Sequence, residues 1–345
     1  MVGPNLGESS FDLFANEIVL YFETIQGKDM QNLANIPRAL WPAVMATARA
    51  AFSVRNKFGI YAFGIGPRIR RGRPGLAHAL NVYVKRKVSD PQLAVPQLTV
   101  IAGKRKWNLN PNVIATGKRP RAAMGAGVDY SGLHPGAAIT IGGSTPGRGA
   151  IACILTVGDG PSHALTAGHL FPPDNIGAAV YAAADSGSTA RQVGQLVANF
   201  LDDSDIDLAL LKLTSAGASM VGDGGPQLSD YLPERSVWGK STRAFLATTN
   251  DYSRQASTNG GPTDALLSAP TRGNYWVHSV VGTDGEVTNA GDSGTVLCTG
   301  NSNQYAVGTC CGSFGAHSVF EPFGRAMELV QDKIDSNLSL FTDAT

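Results

Sequence analysis

Three short stretches of this 345-residue chain hold side chains that could act together. Gly291-Asp292-Ser293-Gly294 is a tight, glycine-flanked turn that presents one hydroxyl. A serine hydroxyl is a weak nucleophile at neutral pH unless an adjacent base takes its proton. The flanking glycines let the backbone bend, so that the amides of Gly291 and Ser293 can face one point where an oxyanion would develop. On its own the turn is ambiguous, because Asp-Ser-Gly is also ordinary turn chemistry. A base is offered by His163-Ala164-Leu165-Thr166-Ala167-Gly168-His169, an apolar run ending in small residues and a histidine. An acid is offered by Asp205-Ile206-Asp207, at the mouth of the apolar run Leu208-Ala209-Leu210-Leu211-Lys212-Leu213. His163 competes with His169, but a base belongs where the apolar strand ends and the chain turns. Asp205 and Asp207 would face the same way on a strand. Asp207 is preferred because the apolar run begins directly after it, and Asp202, Asp203 and Asp205 read as a solvated acidic loop. The order His169, Asp207, Ser293 is one of those known for Ser-His-Asp acyl-transfer machinery.

Thr166-Ala167-Gly168-His169, Asp207-Leu208-Ala209-Leu210 and Gly291-Asp292-Ser293-Gly294 resemble the three signatures of the trypsin/chymotrypsin family of serine peptidases. The resemblance covers roughly the C-terminal two-thirds of the chain, a span of ordinary domain size. It implies a double β-barrel, with His169 as general base, Asp207 orienting it, Ser293 attacking, and an oxyanion hole from the amides of Gly291 and Ser293. It implies a protein substrate and neither cofactor nor metal. By offset from Ser293, Val287 and Thr288 form one wall of the substrate pocket. Cys310, Cys311, Gly312 and Ser318 form the other. No aspartate is evident at the pocket floor, which suits a small-to-medium apolar side chain, although Glu286 or His317 would change the sign of the pocket. Ile139-Thr140-Ile141-Gly142-Gly143 invites a reading as a new N-terminus made by cleavage, its amine paired with Asp292. No basic residue precedes it and it lies only 30 residues before His169, so it reads as a strand entering the first barrel. The oxyanion hole must then form by another route, such as oligomerisation or a regulatory partner.

Composition bounds the rest. Hydrophobic residues make up 43% of the chain and glycines number 41, which fits a globular, turn-rich, β-rich protein of two domains or more. The most apolar helix-like run, residues 39–52, contains Pro42 and Arg49 and is too short to span a bilayer. Glu8, Asp12, Glu17 and Glu23 argue against a leader, so the expected location is cytoplasmic. Cys153, Cys298, Cys310 and Cys311 form neither a CxxC pair nor a zinc spacing, and read as reduced core thiols. No cysteine neighbours His169, unlike the secreted animal branch of the family. Charge is unevenly placed. Residues 1–135 carry 18 Lys and Arg against 7 Asp and Glu, whereas the remainder carries 10 against 20. Such a split suggests an electrostatic interface or an acidic partner.

In chain order, residues 1–57 read as a helical segment, with helices over 7–24 and 38–54. Residues 58–123 read as a small basic α/β domain, 124–135 as a linker, and 136–340 as the protease domain. The fold class expected is therefore mainly β, a chymotrypsin-like double β-barrel preceded by a small α/β domain. The N-terminal unit also resembles one found in a bacterial and plant branch of trypsin-like proteins, the narrow-leaf type. The matching residues are Gly64-Ile65-Gly66, Arg70-Arg71-Gly72, Val82-Tyr83-Val84-Lys85-Arg86-Lys87 and Leu93-Ala94-Val95-Pro96. The start of the protease unit fits that branch too, in Pro135-Gly136-Ala137-Ala138 and Gly149-Ala150-Ile151-Ala152-Cys153. Gly64-Ile65-Gly66-Pro67 fails as a dinucleotide fingerprint because Ile69 stands at the third glycine position. The basic runs near 68–73, 85–87 and 104–106 fit a solvated face, or docking on the acidic half or a neighbouring subunit, better than nucleic acid. The expected function is an intracellular serine endopeptidase with an N-terminal regulatory or assembly domain. The alternative is a catalytically silent scaffold of the same fold, recruited through its basic unit.

Overall fold

The computed structural model describes residues 35–52, 59–70, 73–88, 94–103, 105–117, 121–122, 132–142, 148–158, 160–182, 190–222, 226, 228–238, 242–246, 254–258, 260–299, 304–334 and 338–341. The helix expected over 7–24 lies outside them, as does most of the linker. The second expected helix is present as Trp41–Phe52, after a 3-10 turn at Arg38–Leu40. Pro42 falls in its first turn, where a missing N–H breaks no helical bond. Trp41, Val44, Met45, Ala48 and Phe52 form its buried stripe, the spacing that puts side chains on one helical face. They pack on Ile60, Phe63, Ile65, Leu80 and Val82.

Those residues come from an antiparallel hairpin, Ile60–Arg70 with Arg73–Val84. Asn112–Ala115 adds to it in parallel. The hairpin is not self-contained. Ile60–Arg70 also pairs with Thr263–Ala269, with Phe63 opposite Asp264 and Gly64 opposite Thr263. A Cβ on Gly64 would stand 2.3 Å from Thr263 Oγ1. This glycine therefore serves the close approach of two strands, and the basic unit is an extension of a sheet 200 residues away in sequence.

The protein is mainly β. Eight strands form one sheet in the order Leu338–Leu340, Cys153–Val157, Pro161–Thr166, Ala209–Leu213, Gln192–Asn199, Ala179–Ala182, Ala138–Ile141, Arg148–Ala150. It curls around Ile139, Ile154, Ala164, Val180, Leu196 and Leu211. Ile139 sits inside it, fully buried and opposite Ala182. The second sheet runs Gln255–Thr258, Thr242–Leu246, Val296–Thr299, Gln304–Phe314, His317–Pro322, Gly273–Gly282, Thr263–Ala269, and then into the N-terminal hairpin. Val237, Leu246, Leu297, Val307 and Phe320 fill its interior. Between the two sheets lies a shared core that includes Leu165, Leu208, Val296, Cys298, Phe323 and Met327.

The closing helix is Phe323–Ile334, starting just after Pro322, with Phe323, Ala326, Met327 and Val330 buried. Trp238 follows a one-turn helix at Glu234–Val237. All four cysteines are free and buried. Cys298 faces Ala306 in register. Among the described residues no helix is long and apolar enough to cross a membrane.

Candidate active site

Strand register brings the base to the acid. Pro161–Thr166 pairs antiparallel with Ala209–Leu213, and Thr166 stands opposite Ala209. The residues just past the end of one strand therefore meet those just before the start of the other. His169 and Asp207 occupy those positions. Gly168–Leu170 makes a 3-10 turn that aims the imidazole. A Cβ on Gly168 would come within 2.7 Å of Asn199 Oδ1 and 3.0 Å of the Leu208 carbonyl. Asn199 closes the corner by donating from Nδ2 to the Gly168 carbonyl at 3.1 Å and accepting from Leu201 N. Sequence reasoning missed Asn199, although an asparagine between a strand and a short helix is a recognisable cap.

Asp207 receives the His169 amide on Oδ1 at 2.8 Å and His169 Nδ1 on Oδ2 at 2.6 Å. With Nδ1 donating, Nε2 is the acceptor, and it lies 2.7 Å from Ser293 Oγ. The three side chains are thus joined as carboxylate, imidazole and hydroxyl, all at 0% exposure. His163 and Asp205, the competitors, stand apart: His163 Nδ1 meets Ser162 Oγ, and Asp205 is exposed. Tyr275, unforeseen in the sequence, donates its phenol to Asp207 Oδ2 at 3.2 Å and stacks on the His169 ring. Burial, then the nearby Asp207 charge, raises the Tyr275 pKa well above its usual value, so it remains a donor.

The turn that carries Ser293 is held from behind. Gly291 has φ 102° and Gly294 has φ 88°, a region open to glycine at little cost. A Cβ on Gly294 would also stand 2.3 Å from the Ala150 carbonyl. Ala150 N donates to Ser293 O at 2.7 Å, and Gly294 N to Cys310 O at 2.9 Å. The Asp292 carboxylate accepts from the Asn289 amide and from both terminal nitrogens of Arg254, at 2.6 and 3.1 Å. Arg254 also donates to the Val287 carbonyl at 3.2 Å. The counter-charge for Asp292 is therefore internal. Nothing in the sequence around Arg254 signals this.

The expected pocket residues divide. Val287 N and Thr288 N donate to Ser318 Oγ at 2.9 and 3.1 Å, so the two presumed walls are tied directly together. The Cys311 thiol packs with Ala62, Tyr83, Val277 and Val319, in apolar core beneath the N-terminal hairpin. Gly312 is buried and paired on both sides, with Val319 and with Ala122. Glu286 accepts from Ser313 Oγ at 3.1 Å, and His317 donates to the Thr283 carbonyl at 2.7 Å. His317 also lines a cavity of about 260 Å³ with Tyr83, Asn81, Asp284 and Phe314, between the hairpin and the second sheet.

One further acid lies near the triad. Glu321 is fully buried, and that burial pushes its pKa up to about 7. The Arg325 guanidinium, 2.6 Å away, opposes the rise, while the charges of Asp207 and Glu234 add to it.

No family model matches the sequence, and no curated protein matches it. Among solved structures, the chain is similar to HL collagenase with a TM-score of 0.37 and 14% identity, over 62% of this chain and 99% of that one.

Proposed function

We propose that this protein is a serine endopeptidase of trypsin-like fold, cleaving peptide bonds through an acyl-enzyme on Ser293. The observation that carries the reading is the chain of contacts from Asp207 through His169 to Ser293, each at hydrogen-bond distance. Ser293 Oγ attacks the scissile carbonyl while His169 Nε2 takes its proton. Asp207 holds the Nδ1–H tautomer and stabilises the imidazolium that forms. The amides of Gly291 and Ser293 receive the oxyanion; among the described residues neither donates elsewhere. His169 then protonates the leaving amine, and water hydrolyses the ester by the same route. Of the pocket residues, Val287, Thr288, Gly312 and Ser318 border the bound side chain, and the Ser318 bridge favours a small one. The N-terminal unit acts as a regulatory element built onto the second barrel, and the reaction takes place inside the cell.

Complete burial of Ser293 favours a second reading, a silent protein of the same fold. A fluorophosphonate probe separates the two. The full chain should acquire one adduct, lost in Ser293→Ala with unchanged circular dichroism. An unaltered chain that stays unlabelled across pH and salt conditions would leave the silent reading standing.

A further inference from the structure

The strand Gln304–Phe314 passes directly behind the nucleophile, where Cys310 O accepts from Gly294 N. Over Gly308–Phe314, one edge of this strand is paired with His317–Pro322. At Gly312 and Ser313 the other edge is taken by a segment that precedes the protease unit. Gly312 stands opposite Ala122, and Ser313 opposite Arg121, antiparallel. The direction of that pairing matters. Going from Arg121 to Ala122 is going from Ser313 to Gly312, toward Cys310 and so toward Ser293. A peptide entering this edge the same way lays its N-terminal part against Ser313 and delivers its following residues to the nucleophile. Backbone pairing of this kind accepts any sequence, and the side chains alongside select.

The selecting group is the Glu286 carboxylate. The Arg121 guanidinium lies 3.7 Å from Glu286 Oε1, and Ser313 Oγ donates to that same oxygen at 3.1 Å. Glu286 directly precedes Val287, whose carbonyl is fixed by Arg254. The carboxylate is thereby held at the strand edge, beside the residue opposite Arg121. The Arg121 side chain is 69% exposed, and an ion pair so open to water is weak. Such an occupant can be displaced by a competitor of like chemistry. The acidic half of the chain, with 20 Asp and Glu against 10 Lys and Arg, attracts basic peptides at longer range.

The peptidase reading lays the substrate backbone along this strand; we propose that Arg121–Ala122 occupies that edge in place of substrate, and that Glu286 makes the preferred substrate a peptide with arginine or lysine opposite Ser313. The proposal rests on the peptidase reading above and names its substrate class.

The test uses the full chain carrying Ser293→Ala, so that binding is read without turnover. Fluorescein-labelled alanine hexapeptides, with one arginine walked through the positions, are titrated by polarisation. One position should bind tighter than its glutamate counterpart by about fivefold, the size of an exposed ion pair. Adding Glu286→Gln should level that preference. Adding Arg121→Glu should tighten every peptide by about fivefold or more, because a tethered competitor has been removed. Ala122→Pro, which deletes an amide from the pairing, provides a second way to empty the edge. A preference that survives Glu286→Gln would overturn the selecting role. Unchanged affinities in both Arg121→Glu and Ala122→Pro would overturn the occupancy. Fluorophosphonate labelling of the unaltered chain is scored separately. Failure to label, with the binding pattern intact, counts against the peptidase reading alone; labelling without the binding pattern counts against this proposal alone.

Discussion

Two buried aspartates in this molecule each grip a histidine, and their remaining partners set them apart. Asp207 holds His169 Nδ1 at 2.6 Å, and Asp264 holds His278 Nδ1 at 2.8 Å. Both carboxylates are fully buried. At Asp207 the other contacts are the His169 amide and the Tyr275 phenol, and the imidazole passes on to a hydroxyl. At Asp264 the other contacts are the Ser279 amide and the two-pronged guanidinium of Arg49, from the helix Trp41–Phe52. Burial alone would raise the Asp264 pKa, but the Arg49 bonds, and then His278, hold it below the ordinary aspartate value. A carboxylate neutralised by arginine has little charge left with which to stabilise an imidazolium. The second pair is therefore a joint, fastening the N-terminal helix to the second sheet. An acid–imidazole contact is chemistry or carpentry according to what else touches it.

The comparison can be broken most sharply by the same substitution at both acids. Asp207→Asn should lower kcat/KM by about 10⁴-fold, by analogy with other triads that lose the orienting acid. Asp264→Asn should leave kcat/KM within about threefold and instead destabilise the fold by about 2–3 kcal/mol. That is less than the roughly 3–5 kcal/mol for splitting a fully buried pair, because Arg49 keeps access to water. Kinetics beside urea unfolding would check both, and an exchange of the two outcomes would mean that the roles are reversed.

The pH dependence sharpens it next, because two buried acids pull in opposite directions. Glu321 has a folded pKa of about 7, above its ordinary value of 4.5. Between those values the folded state holds more proton than the unfolded state. Stability from this group is present below the unfolded value and lost as pH rises through about 7. Wild type should therefore lose thermal stability between pH 5 and pH 8 more steeply than Glu321→Gln, by about 2 °C or more. Asp264 has a folded pKa below 3.8. Its contribution is present above that value and fades as pH falls through the folded one, a loss that Asp264→Asn should not show. Thermal melts across pH 3–8 would read both slopes, and parallel curves would remove the linkage. The smallest effect is expected from Tyr275→Phe. One hydrogen bond from the phenol to the Asp207 carboxylate is removed, so kcat should fall by about tenfold with KM unchanged.

What was legible in the sequence was local. The three stretches around His169, Asp207 and Ser293 are each a strand end or a tight turn, and the glycines in them answer steric needs at fixed positions. The helix Trp41–Phe52 carried its own periodicity. What was not legible spans long separations. Arg254 meets Asp292 across 38 residues, Tyr275 meets Asp207 across 68, and Arg49 meets Asp264 across 215. None of these side chains differs in its own neighbourhood from a solvated residue. The hairpin at Ile60–Val84 read as part of a separate unit because strand pairing leaves no mark on the sequence of either partner. The pocket walls, placed by offset, missed the Ser318 bridge for the same reason.

Arg254 carries a consequence for how such a protein would be governed. A positive charge supplied by the chain itself is in place as soon as the polypeptide has collapsed, so no severed bond has to liberate an amine before the loop that carries Ser293 takes shape. Restraint then falls to whatever obstructs entry, and it can be lifted and restored many times over, where a cut happens once.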